Sequence, residues 1–483
     1  MTWQLHAGQA KWLWLALAGA ALGVVYPPSP LGWLAPLPLA LLFRAVYGVT
    51  PVVAFSLTLV FAASFFTVLL WWLPQSLGAL LGWGLVAVFP VLVFLLSVMW
   101  ALTVSLARWW AGPRTWLALP LAWVVLDTLR EMGPFGFPWG NLGYFLSMTP
   151  LVQVTEWGGV PLLSLLVGLA ASALAVWSWR GLLILPAWGL ALLFGILRPA
   201  ESPAFREALL VQGNIDPRVK LAGQAALDWN RYLTLTRRAS AETELVIWPE
   251  TAVSWPEPAQ QAALSTITSP LLFGASMSAV LPRNTALLTW QGTVLGAQDK
   301  LKLVPFGEYF PAQRTFPQVY RAAFRALGLP ELTGRVPGAA LRPLATGPVR
   351  AGVLICYESV FPSLARSLVQ QGANVLVTPS NDAWFGSTRG AEQHFQMGRV
   401  RAIETRRWWL RAGNDGITAA VDPQGRVVRR LERFRAGVLP VQFELLSGQT
   451  FSVQFPDWLS WMSLTLLLGM RVRWPLQVMK GTL

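Results

Sequence analysis

The 483-residue chain is 54% hydrophobic and only 12% charged, with a mean hydropathy of +0.49, which excludes an ordinary soluble domain, where about a quarter of residues carry charge. Thirty-seven Lys and Arg against 23 Asp and Glu leave a formal net charge of +14, a balance that nucleic-acid binders share. Charge placement excludes that class too: no Asp, Glu, Lys or Arg occurs from Ala45 to Ala107, a run that suits membrane-embedded helices and their turns.

Apolar stretches follow in order at Trp12–Tyr26, Leu31–Phe43, Pro51–Leu73, Leu77–Ala107, Thr115–Leu126, Gly158–Trp179, Leu182–Leu197 and Trp458–Met470. They predict a polytopic α-helical membrane domain of about eight transmembrane helices, several of them short for a perpendicular crossing. The first has the look of a signal peptide, but Tyr26-Pro27-Pro28 is no small-residue cleavage site, so it is read as retained. With a cytoplasmic N-terminus, Lys11, Arg44, Arg108, Arg114, Arg180, Arg471, Arg473 and Lys480 fall on the inside, and the outer turns Pro27–Pro30 and Pro74–Gln75 carry no charge. That is the positive-inside asymmetry. It divides the chain into a membrane domain at 1–197, an extracytoplasmic domain at 198–456, and a returning helix with a cytoplasmic tail at 457–483. The many Trp read as interfacial anchors and lipid-facing bulk.

From Arg198 to Phe455 charges occur throughout, and short apolar runs alternate with helical patterns, as in one α/β domain. Strands are predicted at Ala208–Ile215, Glu244–Trp248, Leu271–Ala275, Thr285–Trp290, Ala351–Cys356, Asn374–Pro379 and Trp409–Ala412. Helices are predicted at Ala222–Ala239, Pro362–Gln371 and Ala391–Arg407.

Three stretches of this domain set a reactive group at or beside an apolar strand end, where α/β sites usually lie. Val246–Thr251 carries Glu250, Asp299–Tyr309 carries Lys300, Lys302 and Glu308, and Gly352–Glu358 carries Cys356. A carboxylate can take the proton from a thiol, an ammonium can favour the thiolate and neutralise an oxyanion, and a thiolate can attack an acyl carbon. Each residue alone has a bland explanation, as a buried thiol or a solvated charge; the three together point to covalent catalysis. The two histidines, His6 and His394, leave a Cys–His pair the poorer reading. With a single cysteine they also supply no soft-ligand set for structural zinc or iron–sulfur, so no metal is expected. No Gly-x-x-x-x-Gly-Lys loop or dinucleotide fingerprint occurs, and no cofactor is expected.

In that order and context the Glu250, Lys300 and Cys356 stretches resemble the Glu-Lys-Cys site of the nitrilase superfamily, whose fold is an αββα sandwich. More narrowly, Leu303–Tyr309, Ile355–Glu358, Ser380–Gly386, Val211–Ile215, Phe137–Trp139 and Gly143-Tyr144 resemble the apolipoprotein N-acyltransferases. The resemblance implies Glu250 as general base, Lys300 as thiolate and oxyanion stabiliser, and Cys356 as nucleophile. It also implies Glu308 as an auxiliary carboxylate beside Lys300, Tyr357 as a backbone N–H donor to the oxyanion, and Glu358 as the residue that orders the thiol loop. Lys302 competes with Lys300, since both would share one face of a strand. The implied reaction moves an acyl chain from a glycerophospholipid, through a Cys356 thioester, to the amine of a diacylated apolipoprotein in a bacterial inner membrane. Its partners would be those two substrates and membrane lipid, with no nucleic acid.

Two departures touch the substrate loops: Lys220-Leu221 stands where relatives commonly have Trp, with Trp229 a possible substitute, and Arg407-Trp408 and Ala412-Gly413-Asn414 replace the usual pairs. The rival readings are a membrane-tethered amidase using the same three residues and, from another class, a transporter. Near-absence of intramembrane charge, Asp127 apart, weighs against the transporter.

Overall fold

The computed structural model describes residues 2–81, 86, 88–176, 185–197, 206–216, 225–254, 258–277, 282–326 and 331–470. Lys220-Leu221, the start of the Leu182–Leu197 stretch and the tail from Arg471 lie outside these residues.

The described residues up to 197 carry the helices α1 (Thr2–Val25), α2 (Pro36–Val46), α3 (Pro51–Leu69), α4 (Trp72–Leu81), α5 (Val88–Ala111), α6 (Thr115–Leu129), α7 (Thr155–Val176) and α8 (Leu185–Ile196). Helix starts follow local chemistry. Pro51 stands in the first turn of α3, where a missing N–H costs nothing, and the Thr50 hydroxyl accepts from Val53 N–H. Among the described residues, Pro51–Leu69, Val88–Leu129 and Pro150–Val176 are long and apolar enough to cross a membrane. The second of these is broken at Gly112–Arg114, and α5 and α6 fold against each other. Ala10–Val25, Pro30–Val46, Pro186–Ile196 and Trp458–Gly469 are shorter apolar helices.

Basic residues gather at one end of this bundle. Lys11 Nζ donates to Ala45 O, Arg44 to Ala175 O, and Arg108 to Val49 O and Gly112 O, all around the turn between α2 and α3. The other end of α3, about 28 Å away at 1.5 Å per residue, meets the α/β domain, where Gln393 Nε2 donates to Leu69 O.

The α/β domain is two mixed sheets face to face. The first runs β13-β1-β2-β4-β5-β6, with β1 (Arg206–Gln212), β2 (Thr243–Ile247), β4 (Leu271–Met277), β5 (Arg283–Trp290), β6 (Thr293–Asp299) and β13 (Gly437–Phe443); β3 (Val253–Ser254) adds to β4. The second runs β12-β11-β10-β9-β8-β7, with β7 (Leu344–Thr346), β8 (Val349–Val353), β9 (Val375–Ser380), β10 (Trp409–Gly413), β11 (Ala419–Val421) and β12 (Val427–Arg430). Leu210, Ile247 and Leu272 from one sheet pack on Val353, Val377 and Leu410 from the other. Helices α9 (Ala225–Thr236) and α10 (Pro258–Leu264) cover the outer face of the first sheet, α11 (Pro317–Ala326) follows α10 in sequence, and α12 (Pro362–Gln370) and α13 (Gly390–Thr405) cover the second sheet.

All seven predicted strands are present within a few residues, and six further strands, β3, β6, β7, β11, β12 and β13, lie among the described residues. The β12 strand is exposed along its whole length and so shows no alternation, and β13 carries Pro440, which an edge strand tolerates. One prediction needs correction: β8 ends at Val353, and Cys356 lies beyond it in a 3-10 turn, Cys356–Val360. The two halves share a core. Tyr357, Val360, Phe361, Met397, Val400 and Ile403 pack into the same apolar cluster as the bundle residues Trp100, Trp123 and Trp139. Helix α15 (Trp458–Gly469), after the short α14 (Phe451–Gln454), then packs on α6 and α7.

Candidate active site

The carboxyl ends of the parallel strands β2, β8 and β9 converge, and the residues that follow them form the site. Glu250 sits in the turn after β2, Cys356 in the turn after β8, and Asn381 directly after β9. Lys300 comes from the end of β6. Gly274 on β4 lets the Glu250 turn come close: a Cβ there would stand 2.6 Å from Glu250 Cα and 2.5 Å from Thr251 N.

Lys300 Nζ lies 2.9 Å from Glu250 Oε1 and 2.9 Å from Glu308. Asn284, on β5, donates to Glu250 at 2.7 Å and to Glu308 at 3.0 Å, and Asn381 N–H donates to Glu250 Oε2 at 3.1 Å. Glu308 is held in turn by Val304 N–H at 2.9 Å. Glu250 and Lys300 are buried, 4% and 1% exposed, so the pair is desolvated and its charges are screened less than they would be in water.

These surroundings set the protonation states. Burial works against the Glu250 carboxylate, but the Lys300 charge and the Lys300 and Asn284 hydrogen bonds more than offset it, and its pKa is lowered. Burial likewise opposes the Lys300 ammonium, and Glu250 and Glu308 hold its pKa above the ordinary lysine range. Burial and the Glu250 charge push the Cys356 thiol up, with Lys300 pulling the other way. The resting arrangement is therefore a neutral thiol beside a carboxylate–ammonium pair. A thiolate forms only as its proton leaves.

The other sequence-picked residues also meet here. Glu358 accepts N–H groups from Leu301, Lys302 and Ile355, tying the Cys356 turn to the Lys300 segment. Tyr357 follows Cys356, and its hydroxyl donates to Gly136 O at 2.8 Å. Lys302 parts from Lys300, because β6 ends at Asp299 and the two do not share a strand face. It donates to Gly133 O and lies 4.7 Å over the Phe361 ring, binding the loop after α6. Trp229 is a core residue packed on Trp248 and Phe273.

Residues 210–450 match the carbon-nitrogen hydrolase family, and residues 18–173 match the apolipoprotein N-acyltransferase N-terminal domain. The chain is 32% identical to the apolipoprotein N-acyltransferase of Geobacter metallireducens, over 93% of this chain and 92% of that protein. It is 33% identical to that of Azotobacter vinelandii, over 95% and 94%. The chain belongs to the apolipoprotein N-acyltransferase family. Among solved structures, an amidase from Nesterenkonia sp. is 18% identical, with a TM-score of 0.38, over 53% of this chain and 95% of its own.

In this member of the apolipoprotein N-acyltransferase family, sequence reasoning passed over Asn284, Asp382, His394 and Arg411. His394, set aside as a partner for Cys356, is fully buried behind it: one ring nitrogen lies 3.1 Å from Cys356 O and the other 3.0 Å from Asp382. Arg411 pairs with Asp382 and donates to Ser380 at 3.0 Å. The only prior signal was that Asp382 lies within the Ser380–Gly386 stretch. Cys356, Asp382 and His394 offer donor atoms within 4.8 Å of one another, a spacing that suits a metal ion. Arg411 already supplies the positive charge to Asp382, and the His394 nitrogens face Asp382 and Cys356 O, so Asp382 and His394 have partners within the protein.

Proposed function

We propose that this protein transfers an acyl chain from a glycerophospholipid to the N-terminal amine of diacylglyceryl-cysteine in an apolipoprotein, through a thioester on Cys356. The relatives' names supply the class of reaction. The observation that carries the chemistry is Lys300 held 2.9 Å from both Glu250 and Glu308 beside the chain's one thiol.

Glu250 takes the Cys356 proton as sulfur attacks the ester carbonyl carbon. The oxyanion that develops is stabilised by Lys300 and by the Tyr357 N–H. Collapse breaks the acyl C–O bond, and protonated Glu250 returns its proton to the departing lysophospholipid oxygen. The neutral lipoprotein α-amine then attacks the thioester carbon; Glu250 takes the amine proton, the C–S bond breaks as the amide forms, and Glu250 returns that proton to the Cys356 sulfur. Glu308 and Asn284 hold Lys300 and Glu250 in register throughout.

Both substrates are lipid-anchored, which fits a site built against a membrane bundle. The basic cluster at the far end of α3 supports eight crossings, a cytoplasmic N-terminus and residues 198–456 outside the cytoplasm of a bacterial inner membrane. Intact-mass measurement of the full-length protein with phospholipid tests the reading. We expect one acyl adduct on Cys356, discharged by a diacylated lipopeptide with a free N-terminus and retained with an N-blocked one. Continuous fatty-acid release without acceptor would make the protein a hydrolase instead.

A further inference from the structure

The Cys356 carbonyl oxygen takes two side-chain hydrogen bonds. Ser359 Oγ donates to it at 2.8 Å, and His394 Nε2 stands 3.1 Å from the same oxygen and 3.2 Å from Ser359 Oγ. A carbonyl oxygen only accepts, so the histidine's bond to it requires an Nε2–H, and with Nδ1 facing the Asp382 carboxylate the ring then donates from both nitrogens. This carbonyl and the Tyr357 N–H belong to one planar trans peptide, so they point in opposite directions. Fixing the oxygen fixes the N–H. The peptide needs fixing, because Cys356 sits at φ +50, a conformation that non-glycine residues adopt at a cost.

His394 is itself immobilised. Its Nδ1 faces Asp382 Oδ1 at 3.0 Å, and Asp382 is paired with Arg411 and accepts from Ser380 Oγ at 3.0 Å. The ring is flanked by Trp139, 6.2 Å between centroids, and Phe385, 5.7 Å. Next to it on α13, Gln393 accepts the indole N–H groups of Trp72 and Trp139, at 2.9 and 3.1 Å, and so joins the histidine's helix to the membrane bundle.

We infer that His394 and Ser359 are positioning residues that lock the Cys356–Tyr357 peptide with its N–H aimed at the acyl oxyanion, His394 being held in turn by Asp382 and Arg411. The inference rests on the acyl-transfer reading above. It assigns these side chains to oxyanion stabilisation, acting through the backbone, and not to deprotonating the thiol.

Two reactions of the single cysteine separate those roles. Thioester formation from phospholipid passes through a tetrahedral oxyanion; alkylation by iodoacetamide displaces iodide and develops none. The full-length protein in mixed micelles of detergent and dioleoyl phosphatidylethanolamine is followed by intact mass for both. His394→Phe, which keeps a ring of similar size, should slow thioester formation about 10²–10³-fold, the usual effect of losing one oxyanion donor, while alkylation keeps its wild-type rate. His394→Gln, which restores an N–H, should recover part of the loss. Ser359→Ala, a small change that leaves α13 untouched, should show the same split more weakly. Parallel loss of both reactions in His394→Phe and Ser359→Ala would overturn the inference, as would wild-type thioester formation in both. Absence of any adduct on the wild-type protein would sink the acyl-transfer reading itself, and the inference with it.

Discussion

Glu358 Oε1 accepts the backbone N–H of Leu301 at 2.6 Å, so a side chain from the nucleophile's turn grips the segment that delivers Lys300. The same oxygen takes Lys302 N–H at 3.0 Å, and Oε2 takes Ile355 N–H at 2.7 Å. Burial pushes the Glu358 pKa up to about 7, against the pull of these bonds. One buried carboxyl group thus ties the nucleophile's turn to the segment that carries the ammonium.

Replacing Glu358 with Gln turns one acceptor oxygen into a donor that faces an N–H. A buried amide left without a partner costs about 1–3 kcal/mol, so Glu358→Gln should lower the thermal midpoint in detergent and slow acyl-Cys356 formation. An unchanged midpoint would show that the clamp adds nothing to stability.

The two lysines should separate cleanly. Lys300→Met removes the charge from the thiolate and the oxyanion and should cost at least the ~10²–10⁴-fold expected of Glu250→Gln. Lys302→Met loosens the loop at Gly133 and should leave acyl-enzyme formation largely intact. Single-turnover labelling decides; a dead Lys302→Met with an active Lys300→Met would reverse the assignment.

Asn284 bonds both carboxylates, and its bond to Glu250 favours the charged form of that group. Asn284→Leu should therefore raise the Glu250 pKa toward the ordinary carboxylate range. Because the base must be ionised, the acid limb of the acylation pH profile should move to higher pH. A shift to lower pH, or none, would mean that Glu250 does not govern that limb.

Asp382 is buried, which alone would raise its pKa, yet Arg411 and His394 hold it well below the ordinary carboxylate range. A depressed native pKa gives stability that is present above the unfolded value, near 4, and is lost as pH falls through the native value. Asp382→Asn should be less stable than wild type at neutral pH, and the gap should close as the pH drops below that of an unfolded aspartate. Thermal melts across acid and neutral pH would show this convergence, and parallel curves would contradict it.

Topology is tested by reporters. One fused after Arg198 should behave as extracytoplasmic and one after Lys480 as cytoplasmic. Both on the same side would mean that one of the shorter apolar helices is not a crossing.

Local pattern by itself determined a good deal about this chain. The uncharged run from Ala45 to Ala107 marks α3 to α5, because no soluble fold hides so long an apolar stretch. Seven strands were legible as short apolar runs, since each buries both faces in the sandwich or under its helices. Glu250 and Cys356 stood out because each lies just past a legible strand, a position that neighbours in sequence reveal, whereas Lys300 follows β6, which the pattern did not show. Only the tertiary structure decided what those groups touch. That Lys300 meets Glu250 and Glu308 while Lys302 does not turns on where β6 stops and on the loop that carries Gly133 from the membrane bundle. Asn284 reads as one polar residue in a strand until β5 is laid beside the Glu250 turn. His394 is 38 positions from Cys356 and separated from it by β9 and the Asp382 turn, so nothing in its own neighbourhood marks it. Hydrophobic periodicity reports which face of an element is buried, whereas a hydrogen bond between distant residues depends on how several elements pack at once.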